Sequence, residues 1–429
     1  MEREADVVVV GAGIVGCATA YYLARRGLRP VVLERGRVHG EQSRKNWGFV
    51  RQQGRDPLEV PLIMEANRIW RGIEQELGAD VEWVQGGNLA LAADETRMGL
   101  FEQWLPVARQ FGLDTRLLRR ADLASVVPGI GGDWAGGLHT PSDGHADPGK
   151  ATDAFARAAT AHGATIHLDG GVRSVATRGG RVSAVVTEAG EIRTSWVVCA
   201  AGAWSWRLAR TLGLALPQRW VRGTVARTTV APPVTACAVW GPGVAFRQRK
   251  DGSFNIAAGG ALDHDVTLDS LRQVRFFLPN FWRDKALFRF HVGKPLARSL
   301  AGFLPGSSAR QNPLVWDRHV EPVPNPAKVA KGLAELQRVL PALPRLGIAT
   351  SWAGYIDATP DLVPVIGEAP GVGGLVFATG FSGHGFAMGP VAGRLVSELI
   401  VDSKPSLDIA AFRFSRFAEG AIGKPKNIL

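Results

Sequence analysis

The chain has 429 residues, 46% of them hydrophobic and 21% charged, with a formal net charge of +11. That length supplies core for two or three domains, and that balance excludes a disordered chain. The positive charge has no run of about five or more basic residues, which argues against a nucleic-acid tail. It leaves a solvated arginine-rich surface, an anionic membrane face or an acidic substrate as its meaning.

Cys17, Cys199 and Cys237 sit among small or apolar residues without a CxxC pair. They read as buried free thiols of a reducing compartment. The nine histidines show no HxH or HExxH spacing, so no metal site is expected. The apolar run Ala5–Val10 ends at a glycine turn, and no uncharged apolar stretch reaches about 18 residues. The expected location is cytoplasmic, with peripheral attachment to the inner face of the membrane open because of the charge.

Val7–Val10 is a continuous β-branched run, the pattern of a strand buried on both faces. Gly11, Gly13 and Gly16 follow as GxGxxG, then a helical pattern to Gly27, then a second apolar run from Pro30 that ends at Glu34. The acidic residue stands 23 positions after the first glycine. This is the dinucleotide-binding fingerprint: Gly11 for the turn, Gly13 for approach of a pyrophosphate to the helix N-terminus, Gly16 for helix–strand packing, Glu34 for ribose hydroxyls. The chain then leaves the βαβ pattern at "HGEQSRKNWGFVRQQGRDP", which favours FAD over a nicotinamide cofactor.

Helical spacing is predicted over residues 58–78 and 94–111, and again from Pro148. Strands fill 172–200, ending in "WVVCAAGAWS", with a helix starting near Ala203. Residues 216–260 read as strands, 267–283 and 325–341 as helices, and 293–324 as irregular. Strands return at 347–356 and 374–379, before "ATGFSGHGFAMGPVAG" and a helix from about Ala387. The fold class expected is α/β: a discontinuous Rossmann-like cofactor domain (1–57, 144–214 and 346–429) interleaved with an α+β substrate, or cap, domain (58–143 and 215–345).

The ordered set "VVVVGAGIVGCATAYYLARRG…VLER", "VVCAAGAWS" and "TPDLVPVIG…GLVFATGFSGHGFAMGPVAG" resembles the D-amino acid oxidase superfamily of FAD enzymes, which includes glycine oxidase, sarcosine oxidase and D-amino acid dehydrogenases. The stretch Ile356-Asp357-Ala358 is similar to the opine oxidase catalytic subunits. The resemblance implies FAD and oxidation of the C–N bond of an amino acid or a carboxylate-bearing secondary amine, with O2 or a quinone as acceptor. Its alternatives are a 2-hydroxy acid dehydrogenase and a flavoprotein subunit that needs a partner.

Carried over residue by residue, the resemblance implies cofactor contacts from Gly11, Gly13, Ile14, Gly16, Glu34 and Arg35, and from Ser43, Asn46, Trp47 and Gly48 in the wrapping loop. Val172, Ala201, Gly202, Trp204 and Gly354 belong to the same set, as do Gly380, Phe381, Ser382, Gly383, His384, Gly385 and Phe386. Arg51 is implied as the carboxylate anchor through its bidentate fork, with Arg44 and Arg55 as weaker candidates in the same loop. Tyr355 is expected to line the active site, and His384 to face the cofactor or cap the last helix. Trp47 and Trp352 are wall candidates or packing.

Three departures qualify the resemblance. Ala387 replaces a lysine of monomeric sarcosine oxidases, and Gly354 stands where they tether FAD through cysteine, so FAD is expected to bind without a covalent link. Asn255 aligns with the lysine that promotes their reaction with oxygen, which makes a dehydrogenase plausible.

Overall fold

Val7–Val10 is the inner strand of a six-stranded sheet ordered Val365–Glu368, Leu375–Thr379, Val197–Cys199, Val7–Val10, Pro30–Leu33, Thr165–His167. The pairs are parallel except the first, and Val8 sits opposite both Val31 and Val197. All four valines are buried, which is why the strand carries no alternation. The computed structural model describes residues 2–428 apart from 286, 287, 303, 313, 315, 319 and 320.

The fingerprint helix, Ile14–Arg25, leaves this strand through Gly11, whose φ of 106° suits only glycine. A Cβ at Gly16 would lie 1.9 Å from the Gly11 carbonyl oxygen, so strand and helix pack at glycine distance. The last helix, Gly385–Asp402, crosses this first helix equally closely: a Cβ at Gly389 would lie 2.8 Å from Ile14, and one at Gly393 2.6 Å from the Ala18 backbone.

The helix Val60–Leu77 completes the same core with Leu62, Ile63, Ala66, Ile69, Trp70 and Ile73. Trp70 is fully buried and its Nε1 donates to the Ala387 carbonyl at 2.8 Å. Truncating such a residue costs on the order of 3–5 kcal/mol. The expected boundary put this helix in the second unit. Its apolar face instead packs on the cofactor side.

A ten-stranded sheet forms the other layer. Its longest strand, Arg219–Val230, pairs antiparallel with Ile348–Ala358, with Arg222 opposite Tyr355 and Gly223 opposite Gly354. The strand Ile348–Ala358 thus joins the second sheet, although the expected boundary assigned it to the first. It runs from that sheet into the loop ahead of Val365, so its last residues approach the cofactor side.

Leu262–Asp265 and Phe288–His291 are further strands that the pattern did not disclose. The helix expected at 267–283 breaks at Gln273 into Leu268–Arg272 and Val274–Asp284, and the stretch expected to be irregular holds the helix Lys294–Ala301. Among the described residues, no helix is long and apolar enough to cross a membrane.

Candidate cofactor cleft and active site

A cleft of about 1240 Å³ opens at the carboxyl ends of the parallel strands, where open α/β sheets bind ligands. Gly11, Gly13, Ile14, Glu34 and Arg35 line one side. The Glu34 carboxylate accepts from the backbone N–H of Ala12 at 2.8 Å and of Gly36 at 2.9 Å. Burial pushes its carboxyl up, and those two N–H groups oppose the shift. Arg35 stacks over the Trp204 ring at 3.9 Å, so both side chains of that wall are fixed.

Ser43 and Asn46 come from the wrapping loop, and Val172, Ala201, Gly202 and Trp204 from the middle segments. Ser43 Oγ accepts from Ile14 N–H at 2.9 Å, and a Cβ at Gly13 would lie 2.9 Å from that oxygen. The helix N-terminus therefore opens into the cleft, with no acidic residue in its first turn. Phe381, Gly383, Gly385 and Phe386 bring the C-terminal loop to the same cleft.

The other expected contacts stand behind this surface. Gly16 serves helix packing. Gly380 holds a φ of 70°, its N–H donates to Asp357 Oδ2 at 2.7 Å, and a Cβ there would lie 2.6 Å from Thr359. Ser382, at φ 53°, accepts through Oγ from Thr359 N–H at 3.1 Å. A Cβ at Gly48 would sit 2.2 Å from the Ala146 carbonyl. Trp47 packs on Trp240 at 4.8 Å between ring centres.

Gly354 faces the short helix Gln42–Lys45, and a Cβ there would lie 2.3 Å from Gln42 Oε1. Tyr355, one residue on, points to the opposite face of the strand. Its hydroxyl donates to Asp265 at 3.0 Å and its ring stacks on Trp220 at 4.7 Å, in a second cleft. This alternation puts Tyr355, expected to line the active site, on the second cleft rather than the first.

His384 occupies the N-cap position of the last helix but makes no side-chain cap bond. Its Nδ1 lies 3.3 Å from the Glu59 carboxylate. Burial, reinforced by Arg55 and Arg51, pushes it down to about 4 against the pull of Glu59, which leaves a neutral imidazole at neutral pH.

Arg51, the expected carboxylate anchor, is buried, turns its Nη1 back onto the Gln53 carbonyl and lies over the Trp240 ring at 5.4 Å. Burial first, then neighbouring Arg55, pushes it down to about 9. Arg55 is also buried, with its Nε on the Arg51 carbonyl and Nη1 without a partner. Arg44 is exposed.

Two residues escaped the sequence reading. Arg247 is fully buried. Its Nε donates to the Trp47 carbonyl at 2.6 Å, and neither Nη1 nor Nη2 finds a partner among the described residues. Burial pushes it down to about 10, with Arg249 adding repulsion. Directly opposite on the neighbouring strand stands Asn255, also buried, with an unpartnered Oδ1; Trp352 Nε1 is likewise buried and unpartnered.

The second is Asp357, which lines the first cleft beneath the glycine loop. Burial pushes its carboxyl up to about 6, while the Gly380 and Phe381 N–H groups hold it back. The signal for Asp357 was its place in the stretch Ile356-Asp357-Ala358, just ahead of TPD. Arg247 gave none beyond a basic residue in an apolar strand. Among the described residues, no three metal-type side chains gather.

Residues 6–399 match the family described as FAD dependent oxidoreductase. The chain belongs to that family. FAD is the family's cofactor, and the cleft suits it: a glycine turn too tight for any Cβ, a helix N-terminus free of acid, and a carboxylate held at the end of the second strand.

Mouse mitochondrial sarcosine dehydrogenase is 27% identical over 97% of this chain, which covers 42% of that protein. The chain thus spans less than half the length of that curated relative. Glycine oxidase of Bacillus subtilis is 25% identical over 97% of this chain and 98% of its own length. Among solved structures, L-amino acid deaminase from Proteus myxofaciens in complex with anthranilate superimposes with a TM-score of 0.91 at 29% identity, covering 97% of this chain and 94% of that one. The relatives include amino acid and amine oxidases and dehydrogenases.

Proposed function

We propose that this FAD-dependent oxidoreductase oxidises the C–N bond of an amino acid, or of a secondary amine bearing a carboxylate, to an imine that water hydrolyses. The observation that carries the reading is Arg247. A fully buried guanidinium with two unpartnered nitrogens is costly unless an anion completes it. A carboxylate fits that fork bidentately. Its Nε is anchored on Trp47, beside the loop whose Asn46 lines the cofactor cleft.

Arg247 is therefore preferred over Arg51 as carboxylate anchor. Bound FAD supplies the two-electron oxidant. The chain's part is to hold the carboxylate on Arg247, to seal the site with Trp47 and Trp352, and to keep His384 neutral, so that no cation competes with the one binding the carboxylate. Non-covalent FAD is supported by Gly354, which offers no sulfur at the position where the resemblance places a tethering cysteine.

The test is anaerobic flavin bleaching by a panel of D- and L-amino acids, N-methyl amino acids, opines and 2-hydroxy acids. Bleaching by amines supports the reading. Bleaching confined to hydroxy acids overturns it.

A further inference from the structure

A second cleft, of about 1760 Å³, lies between the helix Ser205–Thr211 and the helices Leu268–Arg272 and Lys294–Ala301. Only one layer of side chains separates it from the cofactor cleft. Trp204 lines both. Gln218 of the second cleft donates to Thr379 of the first at 3.0 Å. Arg35 of the first lies 3.4 Å from Asp317 of the second.

The walls of this cleft are aromatic, with Trp220 and Tyr355 stacked at an interplanar angle of 23° and Trp206 and Trp316 flanking Arg207. Five arginines face two aspartates, a surplus of three positive charges. Arg207 is held bidentately by Asp317, whereas Arg298 and Arg310 make no ion pair among the described residues. Trp204 Nε1 is a further donor, buried without a partner among the described residues. On and just beyond the two helices that border it, the apolar side chains of Leu271, Leu300 and Leu304 are 58%, 50% and 62% exposed.

We propose that this second cleft docks the electron acceptor, a quinone. Three features fit one molecule of that class: flat aromatic walls for the ring, N–H donors for its oxygens, and exposed leucines on the bordering segments for a hydrocarbon tail. The guanidinium surplus favours the product, because negative charge develops on the oxygens as the ring is reduced. The overall exchange balances: the amine loses one C–H and one N–H hydrogen with two electrons to become an imine, and the quinone takes up two electrons and two protons to leave as quinol. The acceptor cleft lies across the Trp204 wall, apart from Arg247, so amine and quinone need not compete for one site. The inference rests on the amine reading for the source of electrons, but the cleft can be tested without it.

The full chain loaded with FAD is titrated with a ubiquinone bearing a ten-carbon tail, and tryptophan fluorescence is followed. The flavin is then reduced photochemically under argon, with no amine present, and its reoxidation by the same quinone is timed. The expected result is saturable quenching and fast reoxidation. In the double variant Arg298→Glu/Arg310→Glu, quinone affinity is expected to fall by about tenfold or more, as the loss of two charge-assisted donors requires. Leu300→Asp/Leu304→Asp, at exposed leucines close in sequence to the lining residues Ser299 and Gly302, should weaken the tailed quinone more than a tail-free one.

FAD content and circular dichroism check folding in each variant. Absence of saturable quenching, or double variants that match the wild type, overturns the proposal. So does a site that binds inorganic phosphate but not quinone. Because photoreduction replaces the substrate, failure of the amine reading would leave this result legible.

Discussion

Replacing Arg247 with alanine separates a substrate anchor from a structural cation. The guanidinium is fully buried, with one nitrogen on Trp47 and two unpartnered. Removing one partner of a buried, hydrogen-bonded charge pair costs about 2–5 kcal/mol of binding. Taking about 3 kcal/mol, substrate affinity should weaken about 150-fold. Arg247→Lys keeps a charge but loses the fork, and should recover only part of that loss. Folding should respond differently, because no carboxylate is left behind: the unfolding midpoint should change by only a few degrees. The assay is anaerobic flavin reduction against substrate concentration, with thermal unfolding alongside. An alanine variant that binds carboxylate substrates normally, or one that fails to fold while Arg247→Lys folds and binds normally, refutes the argument.

Gly13→Ala should weaken FAD binding by at least about tenfold while the chain still folds, since the new Cβ meets only Ser43 Oγ at 2.9 Å; fluorescence titration with FAD measures it. Gly16→Ala, at 1.9 Å from the Gly11 carbonyl, should disturb the fold itself. Asp357 titrates near 6 in the folded chain against an ordinary value of 3.8, so its contribution to stability is present below about pH 4 and is lost as pH rises through about 6. That is on the order of 3 kcal/mol, and Asp357→Asn should flatten this part of the pH–stability curve, read from denaturant midpoints at pH 4.5 and 7. Acid precipitation should release the whole of the flavin into the supernatant; colour retained in the pellet would contradict a non-covalent cofactor.

Much of the cofactor side was legible because its signals are local. Val7–Val10, the three glycines and Glu34 fall within one short stretch, and the turn at Gly11 and the helix–strand packing at Gly16 leave no space for a side chain. The C-terminal glycine loop was legible for the same reason, although Gly380, Ser382 and His384 shape the loop from behind the cleft. The substrate side was not. Arg247 is distinguished by what its nitrogens lack, and only the folded chain reveals that. Arg51 looked the better candidate because it follows the wrapping loop, yet that loop curls back and occupies it with Gln53. Which cleft Tyr355 faces was hidden by strand parity: Gly354 and Tyr355 are neighbours in sequence but face opposite sides of one sheet. The helix Val60–Leu77 was recognised from its period, but a period does not say which core receives the apolar face.

The most direct measurement uses three matched compounds under argon: an amino acid that bleaches the flavin, its decarboxylated amine, and its 2-hydroxy acid. The account predicts rapid bleaching by the amino acid, bleaching by the amine only at far higher concentration, and none by the hydroxy acid. In Arg247→Ala the amino acid should fall to the level of the amine. Equal bleaching by amino acid and amine in the wild type, or bleaching by the hydroxy acid alone, would contradict it.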